Sequence, residues 1–452
     1  MWKNSQLKKR DKKRARTIGD CPHPEKAAFL SRQDALRAAF VMKEINPLSI
    51  SWRKRLTPYL CECGMWHLTS HPATENNPPK NPEEETKSMN QPRYRILKDP
   101  APNRYNCIDL FAGAGGTALG LENAGFHHVL LAEIDKNPVN TLRKNRPNWN
   151  IAHKDIASLD FTPYRGKIDL VEGGFPCQAF SRAGKKEGFD DPRGVMFFQF
   201  ARAVNEIMPK MFVGENVKGL LLHEQGETFK TVINTLQDIH DHEGRHYRVG
   251  YRVVKAQQHD VPQKRERLII MGIRNDIGTE LFFPKPRNYI PTLRDAIYGL
   301  PESVGAQYSE KKRAVLELVP EGGCWRNLPE PVRGEYVGHH SYAQGGNTGV
   351  ARRLSWDAPS LTLLCTPSQK ITERCHPEQT RPLNLQEYAR IQTFPDDWEF
   401  VGSMASIYKQ IGNAVPPNLA YYIGKSVQAS LGDRGPQILD YVEFANPEDY
   451  TN

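Results

Sequence analysis

Apolar segments of strand length alternate with glycine-rich turns and amphipathic segments from about residue 104 onward. The apolar positions at 107–110 predict a strand, the glycine-rich residues 111–116 a loop, and residues 117–124 a helix. A second predicted strand at 129–132 ends at the acidic Glu133. Strands that alternate with helices in this way are typical of an α/β protein with a parallel sheet.

A buried strand around residues 168–171 is followed by a tight turn and a single cysteine. Gly173 and Gly174 permit a turn in which a side chain would clash, and Pro176 fixes the backbone angle φ directly before Cys177. A thiol held at the carboxyl end of a strand is a candidate nucleophile, although a lone cysteine is more often buried for packing.

The elements after this cysteine bring a carboxyl group to the same edge of the predicted sheet. The predicted strand at 211–214 runs into Glu215 and Asn216. Ligands of open parallel sheets bind at the carboxyl ends of the strands, so Cys177 and Glu215 are expected to share one site. The charged residues 181–194 predict a mobile loop over that site. The other elements predicted in this part of the chain are helices at 195–208 and 227–239 and strands at 251–254 and 268–273.

The glycine loop, its helix and Glu133 together indicate a nucleotide-ribose site. The loop lets a cofactor approach the backbone, and the acid at the end of the next strand accepts hydrogen bonds from ribose hydroxyls. Because Gly113, Gly115 and Ala118 fit the relaxed dinucleotide fingerprint, NAD is one alternative. A glycine turn that only packs a strand on a helix is the structural alternative.

Two arginines one residue apart, Arg265 and Arg267, precede the predicted strand at 268–273. On an extended chain, side chains two positions apart point to the same face. The pair is therefore expected to hold a phosphate or a base, and the alternative is a pair of solvated surface charges.

The composition suits an intracellular protein that meets a polyanion. The 452 residues carry a formal net charge of +9, and residues 1–20 form a basic arm that contacts nucleic acid or is simply solvated. No apolar run approaches the ~18 residues needed to span a bilayer, and the basic start lacks the apolar core of a secretory signal. Eight scattered cysteines are too few for a disulfide scaffold, which indicates the reducing cytoplasm.

Residues 21–71 predict a separate small unit stabilised by zinc. The expected ligands of a tetrahedral site are Cys21, Cys61, Cys63 and His67. His23 is a substitute for one of them. A unit of ~50 residues has too small a core to fold stably without such a bound metal ion. The segment resembles small zinc-ribbon-like modules that end in Cys-Gly-x-Trp-His-Leu, although its one-residue spacer between cysteines departs from their usual two.

The segments also match, in order, the conserved motifs of the DNA (cytosine-5) methyltransferases, and the chain resembles the prokaryotic members over about residues 104–430. Eight segments match, in this order: Phe-Ala-Gly-Ala-Gly-Gly at 111–116, the strand end at Glu133, Asp-Ile at 155–156, Gly-Phe-Pro-Cys-Gln at 174–178, Gly-Glu-Asn-Val at 214–217, Gln-Lys-Arg-Glu-Arg at 263–267, the stretch from Arg-Pro-Leu at 381–383 to Phe-Pro-Asp at 394–396, and Gln-Ile-Gly-Asn-Ala-Val-Pro-Pro at 410–417. Each motif alone is weak, but their shared order is specific. The resemblance implies a class I S-adenosylmethionine-dependent methyltransferase fold, with a Rossmann-like sheet and a smaller target-recognition domain.

The resemblance implies a role for each catalytic residue. Cys177 would add to carbon 6 of cytosine, which makes carbon 5 able to take a methyl group. A free thiol is only a few per cent thiolate at neutral pH, so this cysteine needs activation. Glu215 would give a proton to ring nitrogen N3, for which burial must keep its carboxyl protonated. Asn216 would hold the base edge, and Arg265 and Arg267 would contact the ring and the DNA backbone.

The same resemblance implies S-adenosylmethionine as the methyl donor. Its ribose would lie on Glu133, its adenine against Asp155 and Ile156, and its methionine end along Asn413. The full set of implied cofactor-binding residues is Phe111, Gly113, Gly115, Glu133, Ile134, Asp155, Ile156, Pro176 and Asn413.

The resemblance and the composition together divide the chain into seven parts. These are a basic arm at 1–20, the small unit at 21–71, a linker at 72–102, a catalytic domain at 103–284, a target-recognition domain at 285–404, a returning helix at 405–432 and a tail at 433–452. The prolines and acidic residues of the linker predict that it buries no core. Within the recognition domain, Arg326, Gln344, Arg352 and Gln369 are candidate readers of base edges.

Taken together, these features predict a DNA (cytosine-5) methyltransferase that flips cytosine out of a specific short duplex sequence. The implied partners are double-stranded DNA and a restriction endonuclease that acts on the same sequence, and the chain is expected to work as a monomer at the nucleoid. RNA cytosine-5 methylation is an alternative that the length of residues 285–375 disfavours. A DNA-binding regulator without catalysis is the other alternative, and the intact Cys177, Glu215 and Arg265 argue against it.

Overall fold

The computed structural model of the chain describes residues 95–99, 105–176, 195–278, 280–337, 349–370 and 372–450, and the strands at 57–60 and 66–69. The chain divides into two compact units, Met1–Gln91 and Pro92–Asn452. In the first unit, β1 (Thr57–Leu60) and β2 (Trp66–Thr69) pair antiparallel. The predicted zinc ligands Cys21, Cys61 and Cys63, and the side chain of His67, lie outside the described residues.

A mixed sheet forms the centre of the second unit. The strands of this unit are β3 (Tyr105–Leu110), β4 (Phe126–Glu133), β5 (Ile151–His153), β6 (Leu170–Gly173), β7 (Met211–Val217), β8 (Tyr247–Lys255), β9 (Gln263–Lys264), β10 (Glu266–Arg274), β11 (Phe282–Pro284), β12 (Ser360–Leu361) and β13 (Val442–Phe444). Seven of them form one sheet in the order β5-β4-β3-β6-β7-β10-β8. The predicted α/β class is therefore confirmed.

The expectation of a parallel sheet fails at one strand. β3 to β7 run parallel, but β10 runs antiparallel to both β7 and β8. Residues 256–265 connect β8 to β10 without a crossover helix, and such a short connection reverses the chain. β7 also continues beyond its predicted end, through Glu215 and Asn216 to Val217, because these residues pair with β10.

Helices cover both faces of the sheet. They are α1 (Gly116–Asn123), α2 (Lys136–Asn145), α3 (Val195–Ile207), α4 (Glu227–Gln237), α5 (Leu293–Ile297), α6 (Glu310–Glu317), α7 (Val332–Val337), α8 (Leu385–Ile391), α9 (Met404–Asn413), α10 (Pro417–Ser430) and α11 (Pro436–Leu439). Successive strand residues point to opposite faces, so Ile108 packs with Phe200 of α3 and Cys107 packs with Leu121 of α1 and Leu419 of α10. None of these described helices is long and apolar enough to cross a membrane.

The C-terminal helix α10 returns to the sheet and packs directly on α1. A Cβ atom at Gly120 would lie 2.3 Å from the carbonyl oxygen of Pro417, and one at Gly424 would lie 2.8 Å from Cβ of Ala124. Only glycine allows so close an approach of two backbones. The helix is buried along its whole length and therefore forms a wall beside the glycine loop that precedes α1.

The described residues of 285–391 pack around apolar clusters that lie outside the seven-stranded sheet. One cluster contains Leu293, Trp356 and Tyr388, and another contains Leu316 and Trp325. Phe394 and Trp398 instead pack with Leu131 of β4 and Leu142 of α2. β12 pairs with β9, so this region remains attached to the segment that leads into β10.

Part of the predicted linker 72–102 is docked on α10, so the prediction that it buries no core is wrong for residues 95–99. Leu97 is only 4% exposed and belongs to the core between the sheet and α10. Its backbone N–H donates to Oδ1 of Asn418 over 3.0 Å, and Nδ2 of Asn418 donates to the carbonyl oxygen of Arg95 over 2.9 Å.

A buried ion pair secures the same segment. Asp99 accepts hydrogen bonds from the ammonium group of Lys425 and from the hydroxyl of Tyr421, both on α10. The Lys425 side chain is 1% exposed, and a buried charge is stable only when paired in this way. The composition of the linker gave no sign of this docking, because single apolar and acidic residues among prolines carry no periodic pattern.

Replacing Leu97 with alanine is expected to lower the free energy of unfolding by about 2–5 kcal/mol, since it removes buried methyl groups from a packed core. Urea denaturation of the full-length chain measures this. Lys98→Ala, at the exposed neighbouring position, is the matched control and should change stability by less than about 0.5 kcal/mol. Equal effects of the two substitutions would show that residues 95–99 are not docked in solution.

Candidate active site

The predicted site residues gather at one edge of the sheet, where the parallel strands β3 to β7 end. Phe111 follows β3, Glu133 ends β4, Asp155 follows β5 and Pro176 follows β6, while Glu215 lies near the end of β7. The carboxyl ends of adjacent parallel strands necessarily share an edge, which is where open sheets bind ligands. Cys177 itself and the predicted loop 181–194 lie outside the described residues.

The Glu133 carboxylate holds the glycine loop in place. Its Oε2 accepts from the backbone N–H of Gly113 over 2.8 Å, and its Oε1 accepts from the backbone N–H of Asp135 over 2.7 Å. A carboxylate has about four lone-pair sites, so each oxygen can still accept a further hydrogen bond. The group is thus both fixed in orientation and able to receive hydroxyl donors.

The glycines of the loop serve different purposes. Gly115 has a φ of +89°, and a Cβ there would lie 2.7 Å from Cδ2 of Leu142 and 3.0 Å from Cζ2 of Trp398. Gly113 has a φ of +53°, but among the described atoms a Cβ there would meet only the carbonyl oxygen of Phe111, at 4.0 Å. Gly115 is therefore required by packing, whereas Gly113 leaves bare backbone beside open space that a cofactor can approach.

Two isoleucines of the predicted cofactor set differ in accessibility. Ile134 is 64% exposed beside Glu133, whereas Ile156 is 5% exposed and belongs to the core on the α3 side of the sheet. Asp155 is exposed, and its Oδ1 caps the following turn by accepting from the N–H of Ala157 over 2.9 Å. Of these two isoleucines, Ile134 is consequently the one that offers exposed apolar surface beside Glu133.

The last residue of α9, Asn413, reaches the same region from the C-terminal part of the chain. Its Oδ1 accepts from the thiol of Cys365 over 2.9 Å. A Cβ at the preceding Gly412 would lie 2.5 Å from the carbonyl carbon of Leu364, so the two segments touch through backbone. The sequence gave no signal for the Cys365 contact, since it joins parts of the chain that are far apart.

An ion pair holds the Glu215 carboxylate. Nε of Arg267 lies 2.7 Å from Oε1 of Glu215, and the two side chains are 13% and 14% exposed. A Cβ at Gly174 would lie 3.3 Å from the other oxygen of Glu215, so the turn that leads to Cys177 passes directly beside this carboxylate. The alternative that the arginines are solvated surface charges is therefore wrong.

Asn216 points to the opposite face of the sheet from Glu215, as alternation along a strand requires. It is buried, its Nδ2 donates to the carbonyl oxygen of Phe175 over 3.1 Å, and its Oδ1 accepts from the N–H of Val217 over 2.8 Å. Its contacts are thus with the Gly-Phe-Pro-Cys segment.

Arg265 is buried and makes different contacts from Arg267. Its two terminal nitrogens donate to the carbonyl oxygens of Gly412 and Ala414, over 3.2 Å and 3.0 Å. Burial, and then the neighbouring charge of Arg267, lower the pKa of Arg265 to about 9, which leaves the guanidinium charged at neutral pH. The sequence predicted that both arginines face a ligand. In the structure Arg267 contacts Glu215 at the candidate site, whereas Arg265 contacts backbone carbonyl oxygens.

Two glutamines that sequence reasoning missed connect the same segments. Nε2 of Gln263 donates to Oε1 of Gln392 over 2.5 Å, and Oε1 of Gln263 accepts from the N–H of Leu363 over 2.9 Å. Nε2 of Gln392 donates to the carbonyl oxygens of Ile411 and Ala414. Both side chains are fully buried, so these bonds supply the hydrogen-bond partners that solvent water cannot supply.

The candidate base readers are dispersed in the recognition region. Arg326 is exposed with its guanidinium carbon 5.5 Å from the Trp325 ring centroid, Gln369 accepts from the hydroxyl of Thr372, and Arg352 is half-buried. Gln344 lies outside the described residues. The adjacent Arg353 is structural, because its buried guanidinium donates to backbone carbonyl oxygens of its own region. Among the residues that the structure describes, no group of three His, Cys, Asp or Glu side chains is arranged to hold a metal ion.

Comparison with known proteins agrees with this geometry. A family model described as C-5 cytosine-specific DNA methylase matches residues 105–429. The chain is 51% identical to the Type II methyltransferase M.Eco47II of Escherichia coli over 381 residues, which is 80% of this chain and 89% of the relative. It is 54% identical to M.PspPI of a Psychrobacter strain over 341 residues, which is 72% of this chain and 80% of the relative.

Solved structures share the fold. A DNA modification methyltransferase encoded within an E. coli prophage superposes with a TM-score of 0.54 at 27% identity, covering 73% of this chain and all of that chain. The α/β class with a mixed sheet at its centre is thus the fold of the S-adenosylmethionine-dependent cytosine-5 methyltransferases.

Proposed function

The chain belongs to the C-5 cytosine-specific DNA methylase family, and we propose that it methylates carbon 5 of cytosine through the site at the carboxyl edge of its sheet. The observation that carries the assignment of residues is the Glu215–Arg267 pair, which lies directly beside the Gly174 turn that leads to Cys177. A nucleophile and an acid placed at one point are what this reaction needs.

Cys177 is the nucleophile in this proposal. Its thiolate adds to carbon 6 of the flipped cytosine, and the electrons of the carbon 5–carbon 6 double bond then make carbon 5 nucleophilic. A proton at N3 relieves the charge that addition places on the ring. After methylation a water molecule accepts the carbon 5 proton, the thiolate leaves carbon 6, and the N3 proton returns to Glu215, which restores the aromatic ring. Extruding the base from the duplex costs a few kcal/mol, which contacts with the protein offset.

Glu215 supplies the N3 proton in this proposal, and Arg267 orients its carboxyl group through the 2.7 Å contact. Because a neighbouring guanidinium favours the ionised carboxyl group, burial alone does not keep Glu215 protonated, and the proton is taken up from solvent before it passes to N3. Asn216 acts as a positioning residue, because its Nδ2 holds the Phe175 carbonyl oxygen two residues before Cys177. Arg265 is also a positioning residue, since its donors are occupied by the carbonyl oxygens at the end of α9. This differs from the expectation that Asn216 and Arg265 touch the base.

S-adenosylmethionine fits the other half of the edge and supplies the methyl group as an electrophilic carbon on its sulfonium. Glu133 has free acceptor sites for ribose hydroxyls, and the open backbone at Gly113 gives room for close approach. Phe111, Ile134 and Pro176 offer apolar surface around the same space. The remaining members of the proposed set are Gly115, Asp155, Ile156 and Asn413.

We also propose the finer features of the system. Double-stranded DNA with one short recognition sequence is the substrate, a restriction endonuclease acts on the same sequence, and the enzyme works as a monomer at the bacterial nucleoid. The support is the Type II naming of its relatives and the net charge of +9, which favours a polyanionic partner.

Base-resolution mapping of 5-methylcytosine, in DNA from a methylation-free bacterial host that expresses the chain, tests the function. Methylation confined to one short motif is expected, and Cys177→Ser should abolish it because serine is a far weaker nucleophile. Methylated RNA with unmethylated DNA would establish the RNA alternative. Donor binding without any methylated cytosine would support the regulator alternative.

The two arginines should respond differently to replacement by glutamine. Arg267→Gln is expected to lower kcat about 10²-fold, because it frees the acid from its orienting partner. It should lower stability less than Arg265→Gln does, because Glu215 keeps some contact with solvent. Arg265→Gln should instead lower the free energy of unfolding by on the order of 3 kcal/mol, because it removes two hydrogen bonds from a buried charged donor. Steady-state kinetics and urea denaturation separate these effects, with Arg143→Gln on exposed α2 as control. If Arg267→Gln instead lost stability and Arg265→Gln instead lost kcat, the roles assigned to the two arginines would have to be exchanged.

The N-terminal unit is proposed to hold one zinc ion through Cys21, Cys61, Cys63 and His67. The support is the chemistry of the donor set alone. Elemental analysis of the full-length protein should find one zinc per chain, and a double Cys61→Ser, Cys63→Ser variant should contain none. Cys365→Ser, which lies in the other unit, should keep its metal. Metal-free wild-type protein with an unchanged melting temperature in chelator would refute the site.

A further inference from the structure

Two buried carboxyl groups lie side by side in the centre of the sheet, and the proposed reaction uses neither. Asp109 of β3 and Glu172 of β6 are register partners on adjacent parallel strands. They are 1% and 2% exposed, and their side chains hydrogen-bond to each other. One oxygen of each group, Oδ2 of Asp109 and Oε2 of Glu172, has no hydrogen-bond partner among the described residues.

Acidic residues are foreign to the interior of a sheet that helices cover on both faces, where strands are almost entirely apolar. Burial raises the pKa of both groups, that of Asp109 to about 7 and that of Glu172 well above its usual range. The pair therefore retains at least one proton at neutral pH. Burying a carboxyl oxygen without a hydrogen-bond partner destabilises the folded protein, so we expect such a pair to have a function.

The register of the sheet places the pair directly behind the site. On β4, Leu131 is the partner of Asp109, and Glu133 follows two residues later on the same face. On β7, Val213 is the partner of Glu172, and Glu215 follows two residues later on the same face. Two residues of a strand span about 7 Å, so the pair lies between the proposed ribose acid and the proposed catalytic acid, one step deeper.

Few other charges face the pair. α1 and the α9–α10 junction, which cover this face, bring the close backbone contact between Gly116 and Val415. The titratable or charged groups around the pair, taken from every element packed against it, are Cys107, His128, Glu133, Asp169, Glu215, Arg265 and Arg267. The two arginines are already engaged, by Glu215 and by backbone carbonyl oxygens. Among the residues that the structure describes, the pair thus has no cation of its own.

We propose that the Asp109–Glu172 pair is the buried counter-charge for the sulfonium of the methyl donor and selects the cationic donor over its neutral product. This inference rests on the proposed donor site at the same edge. S-adenosylmethionine and S-adenosylhomocysteine share adenine, ribose, ammonium and carboxylate groups, and differ in charge only at sulfur. A positive charge next to the low-dielectric floor of the pocket favours ionisation of the pair. The proton that Asp109 loses passes to solvent, so donor binding and proton release are linked.

The linkage has a defined sign. Burial raises the pKa of Asp109 to about 7, so part of the Asp109 population is protonated at neutral pH. A donor that lowers this pKa on binding releases part of a proton, so its affinity rises as the pH increases through the neutral range. The effect fades well above pH 8, where Asp109 is already ionised. S-adenosylhomocysteine lacks the sulfonium and should release fewer protons.

Isothermal titration calorimetry of the full-length protein without DNA, at pH 7 in phosphate and in Tris, measures the number of protons released. S-adenosylmethionine should release more protons than S-adenosylhomocysteine, because only the cationic donor favours ionisation of the pair. Glu172→Gln and Asp109→Asn should remove this difference and lower the preference for the charged ligand at least several-fold. Glu317→Gln, an exposed carboxyl of α6, is the matched control and should behave as wild type.

The outcomes separate this inference from the donor site itself. Binding of S-adenosylmethionine with the same proton count as S-adenosylhomocysteine overturns the inference and leaves the donor site intact. An unchanged difference in Glu172→Gln also overturns it. If no S-adenosylmethionine binds at all, the donor site fails and the inference fails with it. The comparison of the two ligands in wild-type protein needs no variant, so it decides the matter even if Asp109→Asn does not fold.

Discussion

The arrangement of the site depends on one buried guanidinium. Arg265 has almost no contact with solvent, and its terminal nitrogens donate to the carbonyl oxygens of Gly412 and Ala414. A buried cation is strongly destabilising unless such acceptors surround it. The carbonyl groups that satisfy Arg265 lie at the end of α9, so its requirement for partners fixes the junction at which α10 begins. The buried Gln392 binds the same carbonyl of Ala414 and reinforces the junction.

With that junction fixed, the C-terminal part of the chain packs against the glycine loop, beside the proposed donor site. Gly116 opens α1 so close to that part that a Cβ would lie 2.2 Å from the carbonyl oxygen of Val415. Asn413, which directly precedes this junction, is thereby held near the glycine loop that leads into α1. A motif some three hundred residues from the loop in sequence contributes to the same site, because a backbone contact of this kind admits no other placement.

The carboxyl groups at and behind this edge of the sheet have different kinds of partner. Glu133 is held by two backbone N–H groups and Glu215 by Arg267, so both keep a fixed orientation. Among the described residues, Asp109 and Glu172 have only each other as side-chain partners, and burial raises the pKa of both. The reaction requires a cationic methyl donor and an acid that protonates a ring, and both requirements are easier to meet beside buried carboxyl groups whose ionisation is suppressed.

The sequence by itself determined most of the strands and helices between residues 104 and 273, their meeting at one edge, and the family, because short-range periodicity and ordered motifs are local properties. It missed α2 and the bounds of β5. It did not determine that β10 reverses, that Leu97 and Asp99 dock on α10, or that Asn216 and Arg265 face protein. It also left Asp109 and Glu172 as unremarked polar positions in two apolar strands. These outcomes depend on which distant backbone groups come within hydrogen-bonding distance, and only the tertiary structure decides that, because buried donors and acceptors must find partners wherever the fold places them.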